Sequence, residues 1–153
     1  MELRLFTFHG PRGQRIPIMA PPDTFFPTMD ITHYVPEVFG SYCGAGTGIG
    51  DLVVPETMWG LVVTLACYIH DEMWEHCEAT WEEFNQSNDV FFRNLRYIVR
   101  FMSQNKRVKH LRMYRVVTYY NAVDAVGPAI FEKLKKKQGK TLVASAFIKS
   151  RSM

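Results

Sequence analysis

The sequence predicts a mainly α fold of two or three long packed helices, with a glycine-rich loop before the first of them and an irregular or short β N-terminal arm. Three observations carry that expectation. Apolar residues recur at the three- and four-residue spacing of a buried helix face from Thr64 onward. Four glycines crowd Ser41 to Gly50, and six of the eight prolines with five of the eleven phenylalanines fall in residues 1 to 40, where they interrupt regular structure. At 153 residues, 47% hydrophobic and 22% charged, the chain has material for one domain with a core and is neither disordered nor fibrous in composition.

Residues 1–40 read as an irregular Pro/Phe-rich arm, in which Leu3, Leu5 and Thr7 alternating with Arg4 and Phe6 suggest a strand or hairpin. Pro55 and Gly60 bracket a turn. Thr64 is placed to N-cap a helix running through Cys77, with Ala66, Ile69 or His70, Met73, Trp74 and Cys77 on its buried face. A second helix, from about Trp81 to Met102, carries Phe84, Asn88, Phe91, Phe92, Leu95, Ile98, Val99 and Met102 at the same period. A third, from about Leu111, carries Val116, Tyr119, Tyr120, Val123 and Val126 and meets Gly127-Pro128, where it should kink or stop. The chain thus divides into an arm (1–40), a helical core (41–130) and a basic C-terminal tail (131–153).

Charge is distributed unevenly. Between Ile16 and Phe92 there are twelve acidic residues and no Lys or Arg, whereas Arg93 to Met153 holds fifteen basic residues against Asp124 and Glu132 alone. Either the two halves fold together and neutralise, or the acidic half holds a cation while the basic half faces anionic lipid, nucleic acid or a partner. The longest nearly uncharged apolar stretch, Trp59 to Ile69, is about half of a bilayer-spanning length, and Glu2, Arg4, His9 and Arg12 stand where a signal peptide would be apolar. Neither a membrane span nor a signal peptide is expected. Of the cysteines, Cys67 and Cys77 would stand about 15 Å apart on one helix, so any disulfide must use Cys43.

The feature that could carry chemistry is Ala66-Cys67-Tyr68-Ile69-His70-Asp71, in the middle of an amphipathic helix. A glycine loop precedes it, acidic residues surround it, and Asp89 arrives on the next helix, where an antiparallel pair could bring it beside the His70 ring.

These residues resemble the phospholipase A2-like superfamily. Tyr42-Cys43-Gly44-Ala45-Gly46-Thr47-Gly48 looks like its calcium loop, and Cys67 followed by His70-Asp71 is similar to its catalytic helix. Asp89 with Phe92, and Tyr119-Tyr120-Asn121-Ala122-Val123 up to Gly127, resemble segments of the small prokaryotic branch. Val54-Pro55-Glu56-Thr57-Met58-Trp59-Gly60-Leu61 is similar to a turn before the His-Asp pair in uncharacterised phage-borne proteins. The resemblance spans roughly residues 40 to 128. Between the glycine loop and His70 the chain departs from the compact secreted enzymes by an insertion, Asp51 to Leu61.

The resemblance implies a calcium-dependent lipid ester hydrolase. Asp71 would offer a carboxylate to Ca2+ beside backbone carbonyls near Tyr42, Gly44 and Gly46, an all-oxygen shell suited to a hard cation. His70 would take a proton from water while Asp89 orients the ring, with Tyr119 or Tyr120 bonded to Asp89. It also pairs Cys43 with Cys67 and leaves Cys77 free. The implied partner is a phospholipid or membrane surface, in a cytoplasmic or virion-associated protein. The alternative is a non-catalytic virion component of a tail or baseplate, which would use the arm and the basic tail for self-association or for contacts with other virion proteins. A transition-metal site from His70, Asp71, His76 and Cys77 is disfavoured because His70 and His76 point to opposite sides of a helix. Nucleic-acid binding by Arg107, Lys109, Arg112, Arg115 and the lysine run is disfavoured, since no reader motif accompanies the charge.

Overall fold

The structure, a computed structural model, describes residues 1–31 and 57–143. Two antiparallel hairpins precede three helices. Strand β1 (Arg4–His9) pairs with β2 (Arg15–Ala20) in a register that sets Arg4 opposite Ala20 and His9 opposite Arg15. A short second hairpin joins β3 (Thr57–Met58) to β4 (Leu61–Val62). The helices are α1 (Thr64–His76), α2 (Trp81–Met102) and α3 (Lys106–Lys137). The protein is therefore mainly α, with a short β arm.

Within the arm the inward face is Phe6 and Phe8, and Leu5, on the other side of the alternation, is exposed. Phe26 stands edge-on to the rings of both Phe6 and Phe8 at 5.1 Å. Phe8, Ile16, Ile18 and Ala20 share one continuous core with the helices, which makes residues 4–20 part of the folded body. The outer edge of β2 is closed by a side chain. Asn94 of α2 accepts from the Met19 N–H at 2.8 Å and donates to the Met19 carbonyl at 2.7 Å, imitating a further strand while fully buried.

Helix α1 differs from expectation at its start. Its N-cap is Val63, which offers no side-chain acceptor, and Thr64 is the first helical residue, its hydroxyl buried without a partner. Helix α2 begins with an effective cap, Thr80 Oγ1 accepting from the Glu83 N–H at 3.2 Å, with Glu82 and Glu83 complementing the helix dipole. Helix α3 starts five residues earlier than expected because Asn105 Oδ1 accepts from the N–H groups of Arg107 and Val108.

The expected stop at Gly127-Pro128 does not occur, and α3 runs on to Lys137. Proline in a helix interior forfeits one backbone hydrogen bond and costs about 3 kcal/mol. Packing offsets it. Gly127 lets α3 approach so closely that an added Cβ would lie 3.1 Å from the rings of Phe84 and Trp74, and Phe131 one turn on is fully buried against Trp74, Phe84 and Trp81. The first residues of the expected basic tail are thus helix and core. Lys135, at zero exposure, donates from Nζ to the Trp74 carbonyl at 2.6 Å and the Cys77 carbonyl at 2.7 Å, capping the C-terminus of α1. Cys67 is disulfide-bonded, with its partner outside the described residues, and Cys77 is a free, buried thiol. No helix among the described residues is long and apolar enough to cross a membrane.

Candidate functional site

His70 lies on the buried face of α1, at 5% exposure, between the rings of Trp74 at 4.4 Å and Phe91 at 4.9 Å. Its Nε2 is 2.9 Å from Asn88 Oδ1 on α2. With the amide oxygen turned to the ring, Nε2 carries the proton and donates, and Asn88 Nδ2 is left buried without a partner. The other nitrogen, Nδ1, stands 3.5 Å from Asp71 Oδ1. In the neutral ring that places two acceptors face to face, and a proton, a water or a cation must reconcile them.

Asp71 sits where the core meets solvent, its side chain two-fifths exposed. Burial raises its pKa above the ordinary carboxylate value, the bond and charge of His70 pull it down, and Glu75 adds to the rise. Among the described residues it has no Lys or Arg upon it. Its neighbour Glu72 is likewise shifted upward by burial, against an opposing pull from His76 3.4 Å away.

Asp89 does not orient the histidine. Successive helical residues are about 100° apart, so once Asn88 occupies the inner face of α2, Asp89 is turned outward and exposed. There its Oδ1 accepts from the Tyr120 hydroxyl at 3.5 Å, and the Tyr120 ring packs on Phe92 at 4.8 Å. Tyr119 is buried on the core side of α3, where desolvation raises its pKa and Arg115 opposes the rise. The described structure therefore brings together His70, Asp71 and Asn88, and separately Asp89 with Tyr120. Asn88 had a signal in the sequence, as the one polar residue in the apolar series Phe84, Asn88, Phe91, Leu95.

Tyr42, Gly44 and Gly46, and with them the glycine loop and Cys43, lie outside the described residues. Among the described residues no group of three or more His, Cys, Asp or Glu could hold a metal ion. Of the four residues weighed for a transition metal, His70 and Asp71 stand together, whereas His76 is exposed and paired to Glu72 and Cys77 is buried beneath the end of α1. A cavity of about 340 Å³ at the α2–α3 corner, bordered by Arg12, Met102 and Arg112, includes none of these residues.

No family model, curated protein or solved structure matches the chain.

Proposed function

We propose that the protein is a calcium-dependent lipid ester hydrolase of phospholipase A2-like design, with His70 as general base, Asn88 as the positioning residue and Asp71 as the carboxylate offered to calcium. The observation that carries this reading is the division of labour between the two nitrogens of His70. Nε2 is tethered to another helix at 2.9 Å, while Nδ1 is left beside an acid at the margin of the core. A base that must take a proton from water needs a fixed tautomer and one nitrogen free of structural duty.

Asp71 suits a hard cation in two respects: its carboxylate is partly desolvated yet reaches solvent, and no basic side chain neutralises it among the described residues. Bound calcium would polarise the ester carbonyl and stabilise the charge developing on its oxygen. A neutral amide fixes the imidazole but stabilises its protonated form less than a carboxylate does. The reading therefore implies a slower enzyme than one with an aspartate at position 88.

A second reading, a non-catalytic virion component that retains the fold, is favoured by the depth of His70 between two aromatic rings. Fatty-acid release from phosphatidylcholine and phosphatidylglycerol vesicles, with calcium and with chelator, separates the two. Release that requires calcium supports the hydrolase. No release by folded protein supports the second reading.

A further inference from the structure

The turn that joins β1 to β2 and the corner that joins α2 to α3 meet around the cavity of about 340 Å³, a volume at the small end of ligand pockets. The turn is tied to itself by three hydrogen bonds. The Gly10 N–H donates to the Gln14 carbonyl at 2.9 Å, the Gly13 N–H to the Gly10 carbonyl at 3.0 Å, and the Arg12 N–H to Gln14 Oε1 at 2.9 Å. It is also pressed onto the helices, since a Cβ added at Gly10 would lie 2.9 Å from Met102 Sδ at the end of α2. The backbone from which Arg12 projects is thereby fixed on one wall of the cleft.

Arg112 of α3 stands on the other wall, oriented by two neutral acceptors. Its Nη2 donates to the Trp59 carbonyl at 2.7 Å and its Nη1 to Ser103 Oγ at 2.9 Å. A guanidinium carries five N–H donors, so three remain, and the one on Nε is buried with no partner. No carboxylate compensates either arginine. Among the described residues neither is ion-paired and no Asp or Glu borders the cleft, whose walls come from stretches without any acid, residues 3–22 and 90–123. The amides on the walls add further donors. Gln14 Oε1 and Asn105 Oδ1 are both engaged by backbone N–H groups, while Gln14 Nε2 and Asn105 Nδ2 have no acceptor among the described residues.

We infer that this cleft binds a small phosphorylated molecule, its phosphate held between Arg12 and Arg112 and its organic part lying on Met102 and Val108, which line the same cleft. Donors that come from two walls suit a tetrahedral dianion better than a planar carboxylate, and guanidinium groups pair with phosphate oxygens two at a time. A bare phosphate ion would use the arginines but leave the apolar lining uncovered. None of His70, Asp71 and Asn88 borders the cleft, so the inference stands apart from the hydrolase reading and does not require it.

The test is isothermal titration calorimetry of the full chain, in chelator and at low salt, with inorganic phosphate, adenosine 5′-monophosphate and adenosine. The monophosphate should bind once per chain, more tightly than inorganic phosphate and more weakly as salt is added, and adenosine should not bind. Arg12→Gln alters an exposed side chain that makes no structural bond, so it should melt with wild type and bind the monophosphate at least about tenfold more weakly, the worth of one charge-assisted hydrogen bond. Arg112→Lys keeps the charge but loses the planar fork and should weaken binding as much. If that variant melts early, Arg12→Gln decides alone. Backbone amide shifts on adding the monophosphate, read by nuclear magnetic resonance, should concentrate at residues 10–14 and 102–112. The inference is overturned if the monophosphate does not bind, if adenosine binds equally well, if folded Arg12→Gln binds as wild type does, or if the shifts fall elsewhere. It is overturned too if phosphatidylglycerol vesicles or single-stranded DNA bind these arginines and the monophosphate does not compete.

Discussion

Because the Asn88 oxygen can only accept, the Nε2 proton of His70 is fixed, and the chemistry of the site turns on what lies between Nδ1 and Asp71. Asp71 has a folded pKa above its unfolded value of 3.8, with burial the main cause. For an acid shifted in that direction the native state binds the extra proton, so stability is greatest below the unfolded pKa and declines as pH rises through the folded one. Asp71→Asn should accordingly raise the melting temperature at neutral pH, and the gain should vanish near pH 3, as thermal melts across that range would record. A carboxylate kept at a net cost to folding is what a functional group looks like. The orienting role divides just as sharply. Asn88→Ala should cut hydrolysis by about ten- to a hundredfold, through loss of a positioned base whose full worth is about 10²–10⁴, whereas Asp89→Asn should change the rate less than about threefold. Equal losses in steady-state rates would restore Asp89 to the site. His70 and Asp71 were legible as an adjacent pair within a known motif pattern. Asn88 was visible only as a polar interruption, because one residue of rotation along α2 decides which side chain faces inward, and sequence spacing does not resolve a single step when Asn88 and Asp89 are neighbours.

Helix α2 could be read from period alone, since it buries one stripe and begins at a recognisable cap, whereas α1 matches its expected span but buries every residue from Thr64 to His70, more than a single face. The third could not. Proline at 128 argues for a break, and only the tight approach of Gly127 to Phe84 and Trp74 explains why the helix persists. Extending the series Val116, Tyr119, Val123 and Gly127 past that point reaches Phe131 and then Lys135, which a reading of Lys133 to Lys140 as a solvated run conceals. Lys135 joins the far ends of α1 and α3 by donating at short range to two carbonyls whose other side-chain donors, the Cys77 thiol to Trp74 at 3.7 Å and Lys140 Nζ to Cys77 at 3.4 Å, are longer. Lys135→Met keeps the aliphatic stem and removes the donors. It should destabilise the fold by about 2–4 kcal/mol, from the loss of two short charge-assisted hydrogen bonds to buried carbonyls. At this chain length that is a fall in melting temperature of roughly 5–15 °C. A variant that melts with wild type would mean that water satisfies those carbonyls and that the cap is dispensable.

At the scale of the whole molecule, the two opposite charge blocks of the sequence are not joined by ion pairs among the described residues. Among the described residues the ion pairs are local or terminal, and the arginines of α2 and of the first half of α3 have no carboxylate partner. Contact between the two blocks is instead made at the end of α1, where Lys135 and Lys140 reach the carbonyls of Trp74 and Cys77. The order of charges along the chain was readable in advance, but not which basic side chains turn inward, as Lys135 does. The central claim rests on His70, and the most direct measurement is calcium-dependent fatty-acid release by wild type and His70→Gln at matched folded concentration. Gln keeps a polar side chain that can reach Asn88 but cannot act as a base. A loss of about 10²–10⁴ in rate, with unchanged calcium binding and an unchanged melting curve, is the predicted result. Release by His70→Gln at the wild-type rate, or no release by folded wild type with calcium present, would contradict it.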